Sequence, residues 1–239
     1  KLAGIFGGTT AGNMSINFIG GAPAFAIEQK MSGIQADQML RSLLGSAKLS
    51  GSSNINISVK ASGSSSDAIK RTISGNLTFS VNNGAIAGAD IDYKVDQAIA
   101  KYAQRPAQLT DRGQTPFTHL TGITRMSDGV ASTSNLELLT PTLRVQAAGS
   151  DNLISNSIHY QLTCRLLKPQ VINANYLGVK VNADLANYDI PATVGCSLQS
   201  PCVSVDLLGL MKVLAQEGVK KAAKNAAKTE ILKHVDENV

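Results

Sequence analysis

Alternation of aliphatic with small polar residues dominates this chain and predicts antiparallel β-strands with one apolar and one polar face. Met14, Ile16 and Phe18 alternate with Asn13, Ser15 and Asn17. After Gly20-Gly21 the chain returns through Phe25, Ile27 and Met31 as the second arm of a hairpin. Ile55, Ile57 and Val59 alternate with Asn54, Asn56, Ser58 and Lys60. Leu77, Phe79 and Val81 alternate with Asn76, Thr78 and Ser80 ahead of the turn Asn82-Asn83-Gly84. Further strands are predicted over 120–126, 136–139, 143–147 and 158–166, with a last hairpin over 192–205. The intervening turns are Ser127-Asp128-Gly129, Thr140-Pro141 and the polar stretch 149–156.

Helical periodicity interrupts the strands. Residues 37–44 place Met39, Leu40, Leu43 and Leu44 on one face and stop at Gly45. A short turn or helix spans 66–73, and a longer helix spans 90–104, with Asp90 as N-cap and Ile91, Val95 and Ile99 at i, i+4 and i+8. The stretch 105–116, with Pro106, Asp111 and Gly113, reads as loop. From Asp206 the pattern becomes a long helix in which Leu210, Val213, Leu214, Ile231, Leu232 and Val235 are apolar. Lys212, Lys220, Lys221, Lys224, Lys228 and Lys233 stand there against Glu217 and Glu230, so much of the basic excess is in this tail.

Composition narrows the function classes. In 239 residues, 22 Lys and Arg against 17 Asp and Glu give a net charge of +5, while only 16% are charged and 43% hydrophobic, which excludes intrinsic disorder. Aromatics are 4% without Trp, and no dense basic patch carries them, so no nucleic-acid partner is expected. Residues 2–27 carry no charge, but six glycines together with Thr9, Thr10, Asn13, Ser15 and Asn17 argue against a membrane span. A first residue of Lys1 is read as a piece of a longer protein.

Candidate chemistry is sparse. His119, His159 and His234 stand apart with no His or Cys at ligand spacing, so no metal is expected, and no cofactor. Ser150-Asp151-Asn152 matches a triplet of penicillin-recognising enzymes, but no Lys follows a Ser by three residues and the third motif is only Lys228-Thr229-Glu230. The triplet is read as a turn, and the carboxylates of Asp90, Asp128, Asp151 and Asp206 as caps or turn residues. With no G-x-S-x-G elbow and no phosphate loop, an enzyme is not expected.

Three stretches together resemble the C-terminal region of the AsmA family of Gram-negative envelope proteins. The first runs Asp67-Ala68-Ile69-Lys70-Arg71-Thr72-Ile73-Ser74-Gly75-Asn76-Leu77-Thr78-Phe79-Ser80-Val81 into Asn83-Gly84-Ala85-Ile86-Ala87-Gly88. The second runs from Thr115-Pro116-Phe117 through Leu120, Gly122, Asp128-Gly129-Val130-Ala131, Leu136, Pro141, Leu143-Arg144-Val145, Gly149 and Leu153 to Ile158-His159-Tyr160-Gln161-Leu162. The third is Ile190-Pro191, then Pro201, Val203, Asp206 and the Lys-rich helix. The order and spacing of these pieces over residues 48–210 carry the resemblance.

The resemblance implies a periplasmic protein anchored in the inner membrane by an N-terminal helix lying before this sequence. It also implies a link to outer-membrane assembly and kinship with bridge-type lipid-transfer proteins, whose long curled sheet encloses an apolar groove. The expected fold is mainly β: a curled antiparallel sheet, half-pipe or taco-like, over residues 1–205, with short interrupting helices. A Lys-rich amphipathic helical tail follows over 206–239. Phospholipid is the expected ligand, with the inner and outer membranes as partners. The apolar face is assigned to Met14, Ile16, Phe18, Ile55, Ile57, Val59, Leu77, Phe79, Val81, Leu143, Val145, Tyr160 and Leu162. The alternation alone serves a closed core as well as an open groove. A non-transporting scaffold, binding an envelope protein through a sheet edge or the basic tail, fits the same pattern.

In the family pattern the position of Cys196 is usually glycine and that of Cys202 usually polar. Their joint departure on two arms of a hairpin is what a cross-hairpin disulfide explains, and such a bond belongs in an oxidising compartment. Three free buried cysteines is the alternative, and Cys164 is the odd thiol in either case. Lys212, Lys220, Lys221, Lys224 and Lys228 are candidates for contact with a membrane surface or a partner, on a helix that could equally pack lightly against the sheet in solvent.

Overall fold

Residues with alternating polarity bury one face only by pairing side by side, and here they do so in chain order. The computed structural model describes residues 2–18 and 21–220. Its strands are β1 (Leu2–Ile5), β2 (Gly8–Asn17), β3 (Ala24–Gln35), β4 (Ser52–Ser62), β5 (Ser74–Ala87), β6 (Gln114–Ser127) and β7 (Val130–Leu139). They continue with β8 (Leu143–Asn152), β9 (Ser157–Leu166), β10 (Val171–Tyr176), β11 (Val179–Asp184), β12 (Ile190–Cys196) and β13 (Pro201–Val205). The helices are α1 (Ala36–Leu44), α2 (Ser66–Thr72), α3 (Ile91–Ala103) and α4 (207–220), with one 3-10 turn at Leu185–Asn187.

All strands but two form one 11-stranded antiparallel sheet in the order β1-β2-β3-β4-β5-β6-β7-β8-β9-β12-β13, and β10 and β11 pair as a separate hairpin. The fold is mainly β, as the alternation predicts. Directly opposed residues share a face. Ile57 faces Leu77, Val81 faces Leu120, Leu138 faces Val145, and Cys164 faces Ile190, so one apolar surface runs across the sheet. Two bulges keep it continuous. Gly33, with φ 68°, inserts an extra residue in β3 and restores the inward phase at Ile34; a second bulge between Thr133 and Leu136 does the same in β7. Without them every later side chain in those strands would change face.

α3 covers part of this surface. The Asp90 carboxylate caps it by accepting the Tyr93 N–H at 3.2 Å, and Ile91, Val95 and Ile99 are buried in a core with Val81, Leu120, Leu138, Leu143 and Val145. Three carboxylates tie the helix to its surroundings. Asp90 takes a two-pronged bond from Arg112 (Nε 2.6 Å, Nη2 2.7 Å), Asp92 accepts from the hydroxyls of Thr140 and Thr142, and Asp96 accepts from Arg105 at 2.9 Å and the Leu109 N–H at 2.8 Å. The loop after α3 is therefore wrapped back onto it by charge-assisted bonds.

Three expectations are corrected here. The predicted loop 105–116 ends earlier, since β6 begins at Gln114 and Pro116 sits in the strand opposite Ala85. The Ser150-Asp151-Asn152 triplet is no turn: it ends β8, and the turn follows it. Residues 207–215 are no loosely packed tail. Asp206 caps α4 through the Gly209 N–H, and Leu207, Leu210, Met211, Leu214 and Ala215 at i, i+3, i+4, i+7 and i+8 are buried in the main core, while Val213 points outward.

Burial alone would raise the Asp90 carboxyl, but the bonds from Arg112 and the Tyr93 and Arg112 amides outweigh it and hold it below the usual carboxylate range. A depressed pKa contributes stability above the unfolded value, about 3.9, which is lost as pH falls through the folded one. In urea titrations from pH 7 down to pH 2, the native chain is expected to lose more stability below about pH 4 than Asp90→Asn. Arg112→Ala, which leaves the buried Asp90 carboxylate with only the Tyr93 and residue-112 amides as donors, is expected to cost about 1–3 kcal/mol at pH 7. Equal acid slopes for native and Asp90→Asn proteins contradict the assignment.

Candidate functional site

α3 fills only one end of the apolar surface, and beyond it the curled sheet encloses an apolar cavity of about 430 Å³. Ile91, in the first turn of α3, is at its floor. Its walls come from β5 to β9, β12 and β13, through Leu77, Phe79, Met126, Ile158, Tyr160 and Val203 among others. These six side chains are half-buried, so the space is not sealed. Two glycines keep it from being filled by aromatic rings. A Cβ on Gly122 would lie 2.7 Å from Phe79 Cζ, and one on Gly149 would lie 2.6 Å from Tyr160 Cγ. Each ring lies over the glycine of the neighbouring strand instead of crossing the lumen.

The far wall is drawn in at two places. Gly88, just after β5, packs against the Pro201 ring, where a Cβ would meet it at 3.1 Å. Cys196 and Cys202 are joined by a disulfide with Cα atoms 5.7 Å apart. The loop it closes carries Leu198 and Pro201, which line the cavity. The disulfide therefore braces one lip. Cys164 is the free thiol, buried in the core, and burial with the nearby Asp92 charge pushes its pKa up to about 12, so it is inert as a nucleophile.

Among the described residues, Lys48 and Asp151 are the charged side chains that line the cavity. Asp151 is a residue that sequence reasoning missed, because Ser-Asp-Asn reads as a turn. The structure turns it inward on β8, where its carboxylate accepts the Tyr160 hydroxyl at 2.7 Å. Burial raises the Asp151 carboxyl above the usual range and the Tyr160 bond partly offsets this; burial likewise raises the Tyr160 phenol. The buried hydroxyls of Thr124 and Thr133 satisfy each other at 2.7 Å, and among the described residues no buried side-chain nitrogen or oxygen lacks a hydrogen-bond partner.

The thirteen residues assigned to the apolar face divide into groups. Leu77, Phe79, Val145, Tyr160 and Leu162 line the cavity. Val81 and Leu143 belong to the closed core with α3. Ile55, Ile57 and Val59 share the face on β4, buried or half-buried, beside the cavity. Met14 and Ile16 share it on β2 and are 63% and 50% exposed. Phe18 is corrected: it lies past the end of β2, 74% exposed, and is not set on the sheet face by pairing. Lys212 and Lys220 are exposed on α4, and Lys221, Lys224, Lys228 and His234 lie outside the described residues. His119 and His159 are exposed, and among the described residues no three His, Cys, Asp or Glu side chains converge on a metal position.

Among the described residues no helix is long and apolar enough to cross a membrane. No curated protein and no solved structure gives a significant match to this chain. The family model of the AsmA family matches residues 2–136, which takes in the whole first sheet half, α3 and the strands that begin the cavity wall. That match covers more than half of the sequence, and the chain belongs to the AsmA family.

Proposed function

We propose that this chain is the periplasmic part of an inner-membrane-anchored protein that binds phospholipid by its acyl chains and passes it between the inner and outer membranes, supporting outer-membrane assembly. The AsmA family is envelope-associated, and membership in it points to lipid-transport-related work. The observation that carries the finer reading is the unsealed apolar cavity, continued on the same sheet face toward Met14 and Ile16. A volume of about 430 Å³ falls within the usual range of ligand pockets. A phospholipid exceeds such ligands in size, so the rest of the acyl tail lies along the exposed part of the face.

The energetics favour this ligand. Each CH₂ exposed to water costs about 0.8 kcal/mol, so two chains leaving a bilayer cost well over ~20 kcal/mol. A continuous aliphatic wall removes most of that barrier while the headgroup stays in solvent. No bond is made or broken, and no catalytic residue is required by the reading. A scaffold reading rests on a different observation: among the described residues β1 pairs with β2 only at residues 8–10, so residues 11–16 of β2 offer an edge for strand addition. It requires no lipid.

Transfer of a fluorescent phospholipid between vesicles tests the proposal. Phe79→Glu, which puts a charge in the cavity wall, is expected to lower the transfer rate about tenfold or more, while Thr78→Glu on the polar face of the same strand leaves it unchanged. A folded Phe79→Glu protein with native transfer overturns the cavity assignment. For the compartment, thiol titration of protein taken from the periplasm is expected to find one thiol, reactive only after denaturation. Replacing both Cys196 and Cys202 by Ser is expected to cost about 2 kcal/mol in stability. Three titratable thiols contradict the oxidising location.

A further inference from the structure

The β10–β11 hairpin turns at Leu177-Gly178, with Tyr176 opposite Val179 and φ of 51° and 82° at the two turn residues. Positive φ at both positions is the type I′ turn, which Asn-Gly suits and which a leucine enters at a steric cost. Leucine nonetheless occupies the tip, 88% exposed, more than any other large hydrophobic side chain among the described residues. Local folding therefore does not account for it.

Its surroundings point to a ligand surface. Tyr176, Val179, Ala215 and Val219 form a shallow apolar groove beside the tip, and Lys212 and Lys220 border it. Lys180 follows Val179 on the hairpin and is exposed. Among the described residues no carboxylate lines the groove, and the nearby Glu217 is engaged by the Tyr188 hydroxyl at 3.0 Å. An apolar tip bordered by lysines, with Glu217 engaged elsewhere, complements a layer of acyl chains beneath a layer of phosphates. We propose that the Leu177 tip and the adjoining α4 groove dock this end of the protein on an anionic phospholipid surface. The inference does not rest on the cavity reading, because it concerns a bilayer surface and different residues.

Flotation of the full chain with vesicles tests it. Binding is expected to vesicles of equal parts phosphatidylcholine and phosphatidylglycerol, to weaken in high salt, and to be faint on phosphatidylcholine alone. Leu177→Asn suits the turn, so thermal stability is expected to be kept or raised while vesicle affinity falls about tenfold or more. Replacing Lys212 and Lys220 together by Gln is expected to remove much of the preference for anionic vesicles. Phe79→Glu is expected to bind vesicles normally, which separates failure of the cavity from failure of the tip. Native-strength binding by Leu177→Asn, no binding by the native chain, or equal binding to both vesicle types overturns the proposal, as does a Leu177-dependent self-association without vesicle binding.

Discussion

The structure depends on how much of one apolar sheet face α3 covers. A meander of eleven strands with consistent alternation produces a single dry surface far larger than one 13-residue helix can bury. α3 is fixed at one end of that surface by Asp90, Asp92 and Asp96, each bonded to an arginine or to hydroxyls and amides of the neighbouring chain. Those charge-assisted bonds cannot slide along the sheet as an apolar contact could. What α3 covers is core, and what it leaves becomes the cavity. Side chains of the same kind thus close the core at one end and, in the proposed function, line the ligand site at the other.

Keeping that second part open needs its own devices. Glycines opposite Phe79 and Tyr160 give the rings a place to lie along the wall. The bulges at Gly33 and in β7 hold the inward phase across strands long enough to curl. The disulfide between Cys196 and Cys202 braces the lip formed by Leu198 and Pro201. α4 adds to the closed end, burying Leu207, Leu210, Met211 and Leu214 next to the β10–β11 hairpin.

Much of this was legible in the sequence, and the failures have physical reasons. Period-two alternation located the shared face on β2, β4, β5, β8 and β9, and the Asp90 cap and the Gly45 stop marked the ends of α3 and α1. Alternation could not separate Leu143, which is core, from Leu77, which lines the cavity, because both obey the same period. That distinction depends on where α3 lands, a long-range contact. The β10–β11 hairpin escaped notice because its turn is Leu177-Gly178, without the usual Asn or Asp before the glycine. Asp151 was misread because polar triplets usually mark turns, whereas here Tyr160 supplies the partner that lets a carboxylate face inward. In the sequence of the tail 206–239 the alanines beyond residue 221 weakened the apolar pattern, although the first two turns of α4 carry a full buried stripe.

The central claim is that the uncovered part of the sheet face holds lipid. Native mass spectrometry of the purified chain, followed by extraction and identification of what is bound, tests it most directly. The account predicts phospholipid at near one molecule per chain, released when the protein is unfolded. A lipid-free chain that stays lipid-free after incubation with phospholipid vesicles would contradict it.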